Sequence, residues 1–234
     1  MTRRNIDTRR RRTLIMLGAA SAGMLAMPAR AQPLPACVVT PAQTEGPFFL
    51  DERLNRSDIR ADPADGALRP GVPLVLSLRV FAVTNSGCAA LAGAMVDVWH
   101  CDAAGVYSGT PEAGLRGRDS KFLRGYQLTG RDGSTRFTTI YPGWYPGRAV
   151  HIHFKVRTQA SGGRGTEFTS QLYFDEAVTD KVMAIPSYAG RGQRRVRNES
   201  DGIYRRGGGN ALMAVLSGRG SGYAATFDIG LKEA

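Results

Sequence analysis

The 234-residue sequence predicts an all-β fold, an antiparallel β-sandwich preceded by an extended N-terminal arm. Three observations point there. From Leu74 onward, runs of six to ten residues rich in branched and aromatic side chains alternate with Gly, Pro, Asn and Asp, the pattern of short strands joined by turns. Helical periodicity is weak along the whole chain. Roughly 200 residues beyond the leader suit one domain with a real core.

The elements follow in order. Residues 1–31 read as an export signal: four consecutive arginines at 9–12, an apolar stretch at 14–27, and the small-residue exit Ala29-Arg30-Ala31. The arginine pair before the apolar stretch is similar to a twin-arginine signal. That stretch is shorter than the ~20 residues that span a bilayer, so no stable membrane insertion is expected once it is removed. The expected location is periplasmic or extracellular. Residues 32–73, polar and proline-bearing with little periodicity, are expected to form the arm that packs on the sandwich. Residues 74–234 form the sandwich domain, with strands at 74–83, 94–100, 124–129, 135–140, 150–156, 168–174 and 223–229. Asn85-Ser86-Gly87 and Asp132-Gly133 are turns, and 176–185 is the best helix candidate. The glycine-rich pieces at 161–165, 207–209 and 217–222 are read as loops. None has the strand, lysine and helix context of a phosphate loop.

Charge excludes one class of partner. The formal net charge is +11, but the leader carries seven arginines and one aspartate. The remaining 24 basic and 19 acidic residues give a mild net +5, so nucleic acid is not an expected partner. The one basic cluster, 191–197, reads as a solvated loop. Three cysteines, Cys37, Cys88 and Cys101, allow one disulfide in an oxidising compartment. Pairing of Cys88 with Cys101 is disfavoured because the strand between them holds its ends apart. The other pairings stay open, as does homo-oligomerisation.

The most informative segment is 143–153, which holds two of the three histidines. On a strand, His151 and His153 point to one face and offer two imidazoles to one point. Tyr145 lies in the loop just before, and Tyr107 in the loop after the 94–100 strand. Two phenols with two imidazoles suit a hard, strongly Lewis-acidic cation, because a phenol ligates only after losing a proton that it normally holds to about pH 10. Ferric iron fits, and two phenolates with a hydroxide balance its charge. An ion so stabilised activates an electron-rich chelating substrate such as a catechol, which then reacts with dioxygen. Zinc and copper sites also use paired histidines, and a non-catalytic binding module with a structural metal is the alternative. His100, outside the alternation, is read as structural.

Residues 91–108, with 137–145 and 148–153, resemble the two signature segments of the intradiol ring-cleavage dioxygenases, protocatechuate 3,4-dioxygenase-like, and 40–49 resembles that family's arm. The resemblance implies the sandwich of that family and a non-haem Fe(III) held by Tyr107, Tyr145, His151 and His153, with Tyr145 and His153 axial. It implies a small aromatic diol and dioxygen as substrates and a cis,cis-muconate-type product, with Tyr145 taking part in catalysis. Arg148 would stabilise negative charge on the substrate and Gln171 would hydrogen-bond the metal-bound groups. Thr44, Gly46 and Pro47 would line the substrate mouth. Arg148 follows Tyr145 by only three positions, where the well-known enzymes carry a longer insertion, so a more open site is expected.

Overall fold

Alternating burial organises the first strand, β1 (Pro73–Thr84). Leu74, Leu76, Leu78 and Val80 are all fully buried, as a strand with one face on a core requires. In this computed structural model, residues 37–111, 119–158 and 165–232 are described; the export signal expected at 1–31 lies outside them. One edge of β1 pairs with β2 (Gly87–Ala90) and β5 (Ser134–Ile140). The other edge pairs with β9 (Gly222–Lys232), which also carries β8 (Val215–Arg219). The second sheet has the order β4 (Arg124–Leu128), β3 (Met95–Trp99), β6 (His151–Arg157), β7 (Glu167–Tyr173), antiparallel throughout. The two sheets enclose one core, with Leu76, Phe137 and Ile229 from the first and Val98, Phe154 and Leu172 from the second.

The predicted sandwich is present, with one refinement. β1 and β9 run parallel, from Leu74 opposite Tyr223 to Val83 opposite Lys232. Parallel neighbours need a long crossover, and here nearly the whole domain lies between the two strands. Two strands escaped the sequence reading. β2 is four residues of Gly, Cys and Ala, too short and plain to read. β8 runs into the glycine-rich piece at 217–222, so the loop expected there shrinks to a tight turn around Gly220.

The expected helix appears as α1 (Glu176–Met183), opened by the Asp175 carboxylate accepting from Val178 N–H. Short helices α2 (Pro186–Ala189) and α3 (Gly202–Arg206) follow. The basic run 191–197 is not merely solvated. Arg194 and Arg197 fold onto α1 and pair with Glu176 and Asp180.

β6 departs from simple alternation. Ile152, Phe154 and Val156 enter the core, yet His151, His153 and Lys155 on its other face are buried too. The arm covers them. Gln43 N–H donates to Thr169 O at 3.0 Å, Ser170 Oγ to Pro41 O at 2.7 Å, and Tyr126 N–H to Leu54 O at 2.8 Å. Cys37 and Cys88 form a disulfide that ties the start of the described arm to β2, while Cys101 is buried and free. Among the described residues no helix is long and apolar enough to cross a membrane.

Candidate metal centre

The site grows from strand register. His153 sits opposite Trp99 on β3 and Gln171 on β7, and His151 opposite Tyr173. Trp99 stacks on His153 with ring centroids 4.9 Å apart and planes 10° apart, which fixes that imidazole. The two Nε2 atoms stand 3.0 Å apart, and the Tyr145 hydroxyl lies 3.2 Å from His151 Nε2. Donors bonded at about 2.1 Å to one ion, at a right angle, stand about 3 Å apart. Both separations therefore match those of neighbouring ligands on one ion.

Tyr107 completes the group. Its ring centroid lies 5.7 Å from that of Tyr145 and 6.3 Å from that of His153. The Asp102 carboxylate shapes its loop by accepting from Ala104 and Val106 N–H. Gly105 and Gly143 let this loop press against the Tyr145 segment. A Cβ on Gly105, whose φ is +75°, would meet Trp144 O at 2.1 Å, and one on Gly143 would meet Ala103 O at 2.5 Å. The Tyr107 hydroxyl is buried with no aligned hydrogen bond, although the Tyr145 phenol stands beside it. A buried phenol with no aligned partner, beside a second phenol and an imidazole, fits a cation ligand.

Protonation supports the same fit. His151 Nδ1 donates to Ala149 O at 2.6 Å, which leaves the Nε2 lone pair facing the cluster. Burial, helped by the Arg148 charge, lowers the His151 pKa to about 3, and burial, with the neighbouring His151 ring and Arg148 opposing a second positive charge, holds His153 well below its ordinary value. Both imidazoles are thus neutral, the ligating form. Burial pushes the Tyr145 phenol up to about 12, against the pull of Arg148. Burial and the Tyr145 phenol raise Tyr107 well above the usual range. Both phenols stay protonated until a cation offsets the cost of their charge. Among the described residues, no cluster of three or more His, Cys, Asp or Glu side chains could hold a metal. The donor set here is half phenolic, which is why ferric iron suits it and softer ions do not.

Arg148 is held on three sides. Its Nε donates to Asp201 Oδ2 at 2.9 Å, and its Nη2 donates to Gln171 Oε1 at 2.6 Å and Tyr173 Oη at 3.3 Å. The remaining Nη1 lies 3.3 Å from His151 Nε2. Gln171 bridges Arg148 to the arm by donating to Thr44 O at 2.8 Å. Gly46 is also beside the site, since a Cβ there would stand 3.6 Å from His153 Cε1. Pro47 is exposed on the same segment.

Four side chains that the sequence reading missed hold this arrangement. Asp201 accepts from Arg148 and from Ala149 N–H at 2.8 Å. Tyr173 donates to Gln43 Oε1 at 2.9 Å, and Gln43 donates to Gly207 O at 3.0 Å. Arg124 joins the arm to the Tyr107 loop by donating to Phe48 O and Ser108 O, each at 2.6 Å. Only the aspartate had a local signal, as a capping residue before α3. His100 is structural as expected, bonded to Cys101 O at 2.8 Å and Thr139 Oγ1 at 2.7 Å. A cavity of about 240 Å³ lies against Tyr107 and Tyr145, bordered by Phe48, Thr110 and Arg191. It is smaller than sites for drug-sized ligands, as a one-ring compound requires.

A mixed β-sandwich whose outer face carries two imidazoles and two phenols under a roofing arm is the class of protein defined so far. A family model described as Dioxygenase matches residues 44–197. The chain belongs to the intradiol ring-cleavage dioxygenase family. It is 28% identical over 175 residues to catechol 1,2-dioxygenase 1 of Acinetobacter lwoffii, covering 63% of this chain and 52% of that protein. The chain spans about half the length of the curated relatives it matches. Its structure is similar to an intradiol ring-cleavage dioxygenase from Tetranychus urticae, with TM-score 0.71, 28% identity, and 84% and 95% of the two chains covered. It also resembles the dioxygenase domain of a dioxygenase and carbohydrate-binding fusion from Streptomyces sp. SirexAA-E, with TM-score 0.60, 34% identity, and 84% and 100% coverage.

Proposed function

We propose that this protein is an exported non-haem iron(III) dioxygenase that cleaves catechol-type rings between the two hydroxylated carbons, giving cis,cis-muconate-type products. The observation that carries the reading is the close approach of His151 to His153 at 3.0 Å and to Tyr145 at 3.2 Å, beside the buried Tyr107 hydroxyl. Tyr107, Tyr145, His151 and His153 are the four ligands in this reading. When bound, the ferric ion would supply Lewis acidity, drawing electron density from the deprotonated catechol so that a ring carbon becomes open to dioxygen. Tyr145, half-buried where Tyr107 is buried, is the phenolate able to take a substrate proton at Oη. Arg148, held by Asp201, Gln171 and Tyr173, keeps a fixed positive charge where negative charge builds on the substrate. In this reading Thr44, Gly46 and Pro47, on the arm segment beside His153, border the mouth.

The test combines colour and turnover. Purified protein loaded with one equivalent of iron is expected to be burgundy-red from tyrosinate charge transfer and to consume dioxygen with catechol. Tyr107→Phe should weaken the visible band and reduce turnover by at least 100-fold, as loss of a metal ligand does. Colourless protein holding stoichiometric iron would overturn the ligand assignment.

A further inference from the structure

Two cavities meet at the Tyr145 loop. The smaller, of about 240 Å³, runs along Tyr107 and Tyr145. The larger is an open trough of about 810 Å³ lined by Trp144–Gly147 and residues 191–196. Tyr145, Pro146 and Arg191 line both, so a ligand in the first can extend into the second. Among the described residues, neither lining includes Asp or Glu.

The trough is positively charged in a selective way. Arg194 is neutralised by Glu176 and Asp180. Arg191 and Arg195 are exposed, and neither forms a salt bridge among the described residues. Arg191 is nevertheless fixed. It donates to Ala104 O and its guanidinium lies 5.4 Å from the Trp144 ring centroid, feeling the Asp102 carboxylate only at longer range. A guanidinium held by a carbonyl and an indole keeps most of its donors free for a carboxylate.

We infer that the preferred substrate is a catechol carrying a carboxylate on an arm of two or three atoms, the ring lying beside Tyr145 and the carboxylate in the trough on Arg191 and Arg195. The inference rests on the catechol reading above. A carboxylate bonded directly to the ring can meet Arg191 alone, which lines both cavities, whereas one on a longer arm passes the shared Tyr145–Arg191 border and meets Arg195 as well. The two arginines then act on specificity through binding of the arm, not on the ring chemistry.

The experiment compares kcat/KM of the iron-loaded protein, by oxygen uptake, for four compounds: catechol, 3,4-dihydroxybenzoate, 3-(3,4-dihydroxyphenyl)propanoate, and the methyl ester of the last. The propanoate should exceed its own ester about tenfold or more and should exceed the benzoate. The Arg191→Gln/Arg195→Gln double variant should bring the acid-to-ester ratio close to one, and 0.5 M salt should lower it in the unmodified protein. Charge reversal at Arg195→Glu should invert the preference, and a native-like visible band in each variant shows that the site is intact. Equal rates for acid and ester, or a ratio that survives the double substitution, overturn the inference while catechol cleavage stands. A preference for the benzoate overturns the assignment of the trough. Cleavage of none of the four overturns the catechol reading, and this inference with it.

Discussion

Replacing Asp201 with Asn tests how the arginine is held. The Asp201 carboxylate is 1% exposed and receives four N–H groups. Oδ2 accepts from Arg148 Nε at 2.9 Å and Ala149 N at 2.8 Å, and Oδ1 from Ile203 N at 2.7 Å and Tyr204 N at 3.3 Å. Burial works against its charge, but the Ala149 N–H and the Arg148 guanidinium outweigh burial and hold its pKa below the ordinary carboxylate value. Asparagine keeps one acceptor oxygen and turns the other into a donor. Whichever way the amide faces, two of the four N–H groups then meet an NH₂. Two buried donors losing their acceptor cost about 1–3 kcal/mol each, and Arg148 loses its counter-charge. The expected destabilisation is about 3–5 kcal/mol, the range for breaking a buried ion pair. Urea unfolding of the metal-free protein measures it, and a double-mutant cycle with Arg148→Met isolates the pair. A coupling of about 2 kcal/mol is expected. A coupling under about 0.5 kcal/mol would refute the claim that Asp201 acts through Arg148.

Other outcomes follow from the same geometry. The Cys37–Cys88 disulfide closes a separation of 51 residues, so Cys37→Ser/Cys88→Ser should lose about 4 kcal/mol by the chain-entropy relation, read from denaturant midpoints. An unchanged midpoint would show that the arm needs no tether. His100 is fully buried, and burial lowers its pKa to about 4. On acidification the unfolded chain takes up this proton first, near pH 6.5, so the stability His100 contributes is complete above that pH and lost as pH falls toward 4. The loss is roughly 3 kcal/mol. The stability gap between the native protein and His100→Gln should therefore shrink by that amount between pH 7 and pH 4. A gap that does not change with pH excludes a buried neutral imidazole at this position.

The part of the site that is local in sequence is the part that could be read. His151 and His153 are two apart on a strand, and Tyr145 is six residues before them, so period-two alternation and a short loop bring them together. Tyr107 belongs to a different strand connection; its type suited the donor set, and the match to a family signature strengthened its link to the histidines. Asp201 acts on Arg148 from 53 positions away, and Tyr173 on Gln43 from 130. Nothing local marks such partners, because a buried side chain shows its role only through the groups that fold against it. The same reason hid the parallel pairing of β1 with β9. Each strand has the composition of a core strand, and neither sequence carries the direction of its neighbour.

The arm converts an ordinary strand face into a buried cluster of imidazoles and phenols. By alternation alone, the outer face of β6 would meet water, where the imidazoles would titrate near 6.5 and the phenols near 10. Under the arm the same groups are buried, which takes His151 to about 3 and Tyr145 to about 12. Desolvation keeps the imidazole lone pairs free and makes the phenolates costly without a cation, so burial favours a highly charged ion over a weakly charged one. The arm is pinned along its length: at Cys37 by the disulfide, at Thr44 by Gln171 and at Phe48 by Arg124. Each pin reaches a different element of the sandwich, so no single strand sets the electrostatics of the site. The ligand chemistry is thus a property of the contact between arm and sheet, and any change that loosens that contact should move the pKa values of all four donors together.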